Sequence, residues 1–286
     1  MLKEIRPFKG QQLGSQSETA LAVGDINGDG FADVVVGVGG PGQRPEVEIY
    51  SGKDYSLVAK IDPFRNSRNA TTINLAVGDV NSDNFADVIV GQGSGGEGLV
   101  EAFDGRALAQ VIKGGSKRDA LTGKSIAART SLYGGKFQPY GSNYTGAVDV
   151  ASGYILPRPE SFIEGQIVQT SYANLTTLAV DQQSTASNPS VKLFYAAGGS
   201  GGGKHSGHSG HSSSGDAPVL AASLNVEEKL RSITDTFFDL SNRPDQRGYA
   251  GLVGTTASGQ DLLYWIDPTT IQDPSTNIFQ YQTQVL

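Results

Sequence analysis

The sequence predicts an all-β protein built from repeated four-stranded antiparallel sheets, and three observations lead to that class. Short apolar runs alternate with clusters of Gly, Asn and Asp, and 38 of the 286 residues are glycine, which is the composition of many strands joined by tight turns. Residues 21–37, LAVGDINGDGFADVVVG, return at 75–91 as LAVGDVNSDNFADVIVG. Thirteen of these seventeen positions are identical, at an offset of 75 − 21 = 54 residues, and repetition at such a period marks an array of equal units. Each copy is followed by two further runs with the two-residue alternation of half-buried strands. Four short strands in about 50 residues make one blade of a β-propeller. The predicted fold is therefore a β-propeller, few-bladed or a segment of a larger ring.

Taken in order, the first blade spans about 15–64. Leu21-Ala22-Val23 enters an Asp-rich loop, Val34-Val35-Val36 leaves it, and Val47 to Tyr50 and Leu57 to Ile61 complete the sheet. The second blade, about 65–113, repeats this scheme with Val100 to Phe103 and Leu108 to Ile112 as its outer strands. A degenerate third blade covers about 135–223. Its Val150-Ala151-Ser152-Gly153 follows Pro139-Tyr140 much as Leu75 to Gly78 follows Pro63-Phe64, with Val191 to Tyr195 and Pro218 to Ala221 outside it. Tyr154 stands where the loop Asp is required, so this blade has lost its metal loop. A C-terminal blade over 224–286 draws on Tyr249 to Val253, Leu262 to Ile266 and Ile278 to Gln282. Residues 226–240 are the one predicted helix, from the spacing of Leu230, Ile233, Phe237 and Leu240. Ile5-Arg6-Pro7-Phe8 matches the end of a blade, Ile61-Asp62-Pro63-Phe64. It predicts either a strand that closes the ring by completing the last blade, or an array that begins in mid-blade.

Composition excludes several functions. The formal charge of −7 comes without a basic face and argues against nucleic-acid binding. No cysteine is present, which removes disulfides, thiolate chemistry and Cys-based zinc sites. No apolar run is long enough for a membrane-spanning helix, and the first residues lack the apolar core of a signal peptide. The expectation is an extracellular or cell-surface protein, read here as a mature or excised piece without its leader.

The chemistry is concentrated in the repeated loops. Asp25, Asn27, Asp29 and Asp33 occupy loop positions 1, 3, 5 and 9, and Phe31 at position 7 offers its backbone carbonyl. Asp79, Asn81, Asp83, Asp87 and Phe85 repeat the set. All are hard oxygen donors, suited to Ca²⁺. Position 6 needs a positive φ, which Gly30 supplies freely and Asn84 tolerates better than other side chains. Position 12 is Val36 or Val90 within a strand, where an EF-hand requires a bidentate Glu, so these are not EF-hands. The bland alternative is that the Asp and Asn side chains only form turns.

Both copies resemble FG-GAP (VCBS-type) repeats, the integrin α-subunit kind of propeller blade also found in many bacterial surface proteins. The resemblance is specific over residues 1–113 and weak over 135–223. It implies that the Asp loop joins the first two strands of each blade and binds Ca²⁺, giving two Ca²⁺ sites. The naming Gly-Ala-Pro motif is replaced by Gly37-Val38-Gly39-Gly40-Pro41-Gly42 and by Gly91-Gln92-Gly93-Ser94, so blade number does not carry over.

Other candidates are weaker. His205, His208 and His211 recur in the Gly/Ser stretch 198–216. They suit weak transition-metal binding, though a solvated loop is the favoured reading. They are also the chain's three histidines, which leaves no core histidine for a Ser-His-Asp triad. Tyr133, Phe137, Tyr140 and Tyr144 form either a contact patch or core. The functional expectation is a non-catalytic, calcium-binding surface propeller that contacts proteins or assembles with itself. A lectin-like glycan binder and a polysaccharide lyase or hydrolase domain are the alternatives.

Overall fold

The computed structural model describes residues 4–65, 71–80, 84–93, 95–113, 131–152, 161–163, 166–168, 177–181, 190–195, 219–225, 230–238, 249–256, 258–266 and 281–285. Among them it is almost wholly β, with four four-stranded antiparallel sheets that form successive propeller blades. The first blade is β1 (Glu18–Gly24), β2 (Asp33–Gly40), β3 (Gln43–Tyr50) and β4 (Leu57–Ile61), paired in chain order. The second is β5 (Ile73–Gly78), β6 (Asp87–Gln92) and β7 (Val100–Phe103), completed after helix α1 (Gly105–Lys113) by β8 (Ser131–Phe137).

That helix corrects the sequence reading, which made Leu108 to Ile112 the fourth strand. Asp104 accepts a hydrogen bond from the amide of Ala107 at 2.9 Å, as an N-cap does at its third helical residue. Leu108 and Ile112, four residues apart, both pack into the core. The run is too short for alternation alone to separate strand from helix. The fourth strand comes later, where Lys136 pairs with Glu101.

The third blade is β9 (Val148–Ala151), β12 (Thr177–Asp181), β13 (Ser190–Tyr195) and β14 (Val219–Asn225), with a separate hairpin of β10 (Ser161–Ile163) and β11 (Gln166–Val168) inserted after its first strand. The fourth is β15 (Leu230–Phe238), β16 (Tyr249–Thr256), β17 (Asp261–Ile266) and β18 (Tyr281–Val285). The predicted helix over 226–240 is therefore strand β15, paired along its length with β16. Its apolar residues fit a 3.6 period, but sheet pairing overrides that weak local signal. The fourth sheet takes all its strands from residues 230–285. Ile5 to Phe8 therefore do not complete it, and the ring-closing strand is corrected.

One packing rule runs along the array. The first strand of each blade lies against the first two strands of the blade before it: β5 on β1 and β2, β9 on β5 and β6, β15 on β9 and β12. The main core lies between the first two blades. Val35, Val47, Ile49 and Ile61 meet Ile73, Val88, Val90 and Phe103, all essentially buried. Glycines admit the incoming side chains. An added Cβ would lie 2.4 Å from Val77 at Gly24 and 2.6 Å from Ile73 at Gly37, closer than packed atoms approach.

A second device joins neighbouring blades. The Pro-aromatic turn that leads into a blade is held by a charged residue in that blade's third strand. The Phe8 amide donates to Glu48 at 2.8 Å, and the Phe64 amide donates to Glu101 at 2.6 Å. Phe8 and Phe64 share a positive φ, 55° and 54°. In the third blade the charge is reversed. Lys192 donates to the Pro139 carbonyl at 2.8 Å, and its ammonium stands 4.8 Å from the Tyr140 ring centre. The similarity of residues 5–8 to 61–64 is thus structural, although residues 4–6 form no strand. Phe137 stacks edge-on against Phe194, Tyr140 meets Tyr144, and all four belong to the core between the second and third blades. The contact-patch reading fails for Phe137, Tyr140 and Tyr144. The 198–216 stretch, including His205, His208 and His211, lies outside the described residues.

Candidate metal centre

Both Asp loops sit where the sequence places them, between the first and second strands of blades one and two. Position 6 takes the required positive φ, 86° at Gly30 and 66° at Asn84. In loop one the Asp25 carboxylate accepts from the amides of Asp29 at 3.1 Å and Gly30 at 2.9 Å. Asp29 accepts from the Phe31 amide at 3.0 Å. Asp33 is completely buried. It accepts from the amides of Ile26 and Gly52, each at 3.0 Å, and from the Asn27 side-chain amide at 3.2 Å. Burial pushes the Asp33 carboxyl up and the negative charge of Asp29 adds to this, while the backbone donors oppose them.

Loop two repeats the scheme where it is described. Asp79 accepts from the Asn84 amide at 2.8 Å, and Asp87 accepts from Val80 at 2.8 Å and Gly105 at 2.7 Å. Asn81 and Asp83 lie outside the described residues. Gly52 and Gly105 are glycines for a steric reason. A Cβ there would stand 2.0 Å from the Ala32 carbonyl oxygen or 2.1 Å from that of Ala86, so only glycine brings its amide to the Asp.

Does this loop fit a hard dication? The Asn27 side-chain oxygen is buried and receives no hydrogen bond, and an orphan of this kind costs about 1–3 kcal/mol unless something satisfies it. The donor types, carboxylate and amide oxygens with a backbone carbonyl at Phe31, are those Ca²⁺ takes. The carboxylates are nevertheless turned toward backbone amides. Among the described residues no three acidic or histidine side chains converge on one point. The loop therefore has a donor set that suits such an ion and one buried oxygen without a hydrogen bond, while its Asp residues brace the turns. Asp25, Asn27, Asp29, Asp33 and the Phe31 carbonyl are the groups that would hold the ion.

The sequence reading missed that the two loops touch. The Ala86 amide of loop two donates to the Asp25 carbonyl at 3.2 Å. The Phe85 ring lies over Gly28, where a Cβ would come within 2.8 Å. Arg106 stands over the same ring, 5.1 Å from its centre. The visible signal was Gly28, a glycine at a loop position that needs no metal donor.

The family model of the FG-GAP repeat matches residues 19–52. Integrin alpha-7 of Mus musculus is 34% identical over 140 residues, which is 45% of this chain and 12% of that protein. Integrin alpha-3 of Cricetulus griseus is 32% identical over 111 residues, 36% of this chain and 11% of its own length. The matched stretch is thus about an eighth of the longer relatives. Among solved structures, the exotype rhamnogalacturonan lyase YesX aligns over 87% of this chain and 45% of its own, at 10% identity and a TM-score of 0.42. The chain thus carries an FG-GAP repeat at residues 19–52 and is similar to a part of integrin α chains.

Proposed function

We propose that this chain is a calcium-stabilised, non-catalytic propeller array whose blades present a surface for protein–protein contact outside the cell or at its surface. The buried, unpartnered Asn27 oxygen within a thrice-acidic loop carries the calcium part of this reading. Similarity to integrin α chains supports the contact role. Two Ca²⁺ ions are assigned, one to Asp25, Asn27, Asp29, Asp33 and the Phe31 carbonyl, the other to Asp79, Asn81, Asp83, Asp87 and the Phe85 carbonyl. Calcium here is structural: it holds each loop between two strands, and the Phe85–Gly28 contact passes that rigidity to the neighbouring blade.

The test is thermal unfolding in EDTA and in millimolar Ca²⁺, with Mg²⁺ as the control. The expected result is a midpoint raised by Ca²⁺ alone, with the rise lost in the Asp25→Ala, Asp79→Ala double variant. Equal midpoints in EDTA and Ca²⁺, with no calcium found by elemental analysis, would reduce the loops to ordinary turns.

A further inference from the structure

Three residues at the head of the first Asp loop are held by blade two. The Asp25 carbonyl accepts a hydrogen bond from the Ala86 amide at 3.2 Å. Ile26 is fully buried in the core that Phe103 and Leu108 also enter, and its carbonyl oxygen would lie 3.3 Å from a Cβ on Gly105. Gly28 has a φ of 67°, and the Phe85 ring covers it so closely that a Cβ there would come within 2.8 Å. Along the chain Ile26 and Gly28 alternate with the donors Asp25, Asn27 and Asp29. Each of those donor side chains therefore stems from backbone that blade two fixes on at least one side. Among them is the buried Asn27 oxygen that receives no hydrogen bond.

Gly28 is where such support matters. Glycine has no side chain to restrict its φ and ψ, so a loop that turns at Gly28 and again at Gly30 does not by itself hold Asn27 and Asp29 in place. A ring packed on Gly28 removes that freedom before an ion arrives, and a preorganised site loses less entropy on binding. Arg106, in the first turn of α1, stands 5.1 Å from the ring centre, and cation–π attraction helps to keep the ring there.

The ring is not needed by its own loop. Phe31, at the matching position of loop one, keeps 49% of its surface exposed. The donor assigned to this position belongs to the main chain, so the side chain of Phe85 can serve the neighbouring loop.

Resting on the calcium reading of the first loop, we infer that Phe85 is a positioning residue for the ion bound there. Its side chain touches no donor atom of that ion, yet its ring on Gly28, together with the Ala86 amide on Asp25, sets how tightly the loop holds Ca²⁺. The first site is thus built by two blades and not by one motif.

The experiment is amide hydrogen exchange read by mass spectrometry as free Ca²⁺ is raised in chelator buffers. Peptides within residues 21–35 follow the first loop separately from the second. In the wild type these peptides are expected to gain protection with Ca²⁺. The concentration giving half-protection is expected to rise about tenfold or more in Phe85→Ala, less in Phe85→Leu, and by under about twofold in Phe85→Tyr, which keeps the ring. Leu75→Ala is the control for a merely structural effect. It loosens the same blade contact at Gly37, farther along β2 from the loop, and is expected to leave half-protection where it is. A Phe85→Ala midpoint equal to the wild type, or an equal shift in Leu75→Ala, would overturn the positioning role and leave the calcium reading standing. Protection of neither loop by Ca²⁺, in the wild type or any variant, would take down both.

Discussion

Blades one and two share a seventeen-residue motif almost letter for letter, yet the same positions meet different surroundings. Leu75 and Val77 are half-buried against blade one, whereas Leu21 and Val23 stand in solvent. The third-strand glutamates diverge further. Glu48 receives the Phe8 amide, the Tyr50 hydroxyl and the Lys60 ammonium. Burial pushes its carboxyl up, but these partners outweigh burial and hold it below the usual glutamate value. Burial, and after it the same contact with Glu48, holds the Tyr50 phenol well above its ordinary value. In blade two Phe103 replaces the tyrosine, and Lys136 turns to the Arg65 carbonyl at 2.9 Å. Glu101 keeps the Phe64 amide, and burial raises its carboxyl. A repeat thus carries its backbone scheme forward while each side chain's energy is set by whatever packs on it.

Where the blades are truly equivalent, equal damage is expected. Gly52→Ala and Gly105→Ala each drive a Cβ into a backbone carbonyl and displace the amide that holds Asp33 or Asp87. Each is expected to cost about 3 kcal/mol in urea denaturation. Unequal losses would mean that the longer connection through α1 lets blade two relax. Where they differ, the effects should split. Leu75→Ala is expected to lose about 2 kcal/mol and Leu21→Ala under about 0.5 kcal/mol in dilute protein. Matching losses at low concentration would show that Leu21 is covered within a single chain.

The glutamates give opposite pH signs. Glu48, depressed in the fold, contributes stability that is present above its unfolded value near 4.5 and disappears as pH falls through its lower folded value. Glu101, raised in the fold, binds protons in the native state more readily than in the unfolded one. Its effect is to weaken the protein as pH climbs from 4.5 through its raised folded value. Glu48→Gln is expected to cost about 2 kcal/mol at pH 7 by stripping charge-assisted hydrogen bonds. Glu101→Gln is expected to change stability at pH 7 by under about 1 kcal/mol, toward greater stability. Denaturation midpoints from pH 4 to 8 check both signs, and a parallel response of the two variants would sink the distinction.

The sequence by itself determined the blade repeat, the strand–loop–strand motif at 21–37 and 75–91, and the positive-φ site at Gly30 and Asn84. These are local properties: a two-residue alternation, a residue type with few allowed turns, and an exact offset all show in the order of letters. Single strands farther along were legible too, at Val150, Val191 to Tyr195 and Leu262 to Ile266. Only the tertiary structure decided that 105–113 is a helix and 230–238 a strand, because short apolar runs suit either until a cap or a sheet partner selects one. It alone paired Glu48 with Phe8 and Glu101 with Phe64, across 40 and 37 residues. It alone laid Phe85 over Gly28 and left Leu21 and Val23 uncovered. Contacts of that range depend on which surface arrives next to a residue, and no local pattern of side chains encodes what that neighbour will be.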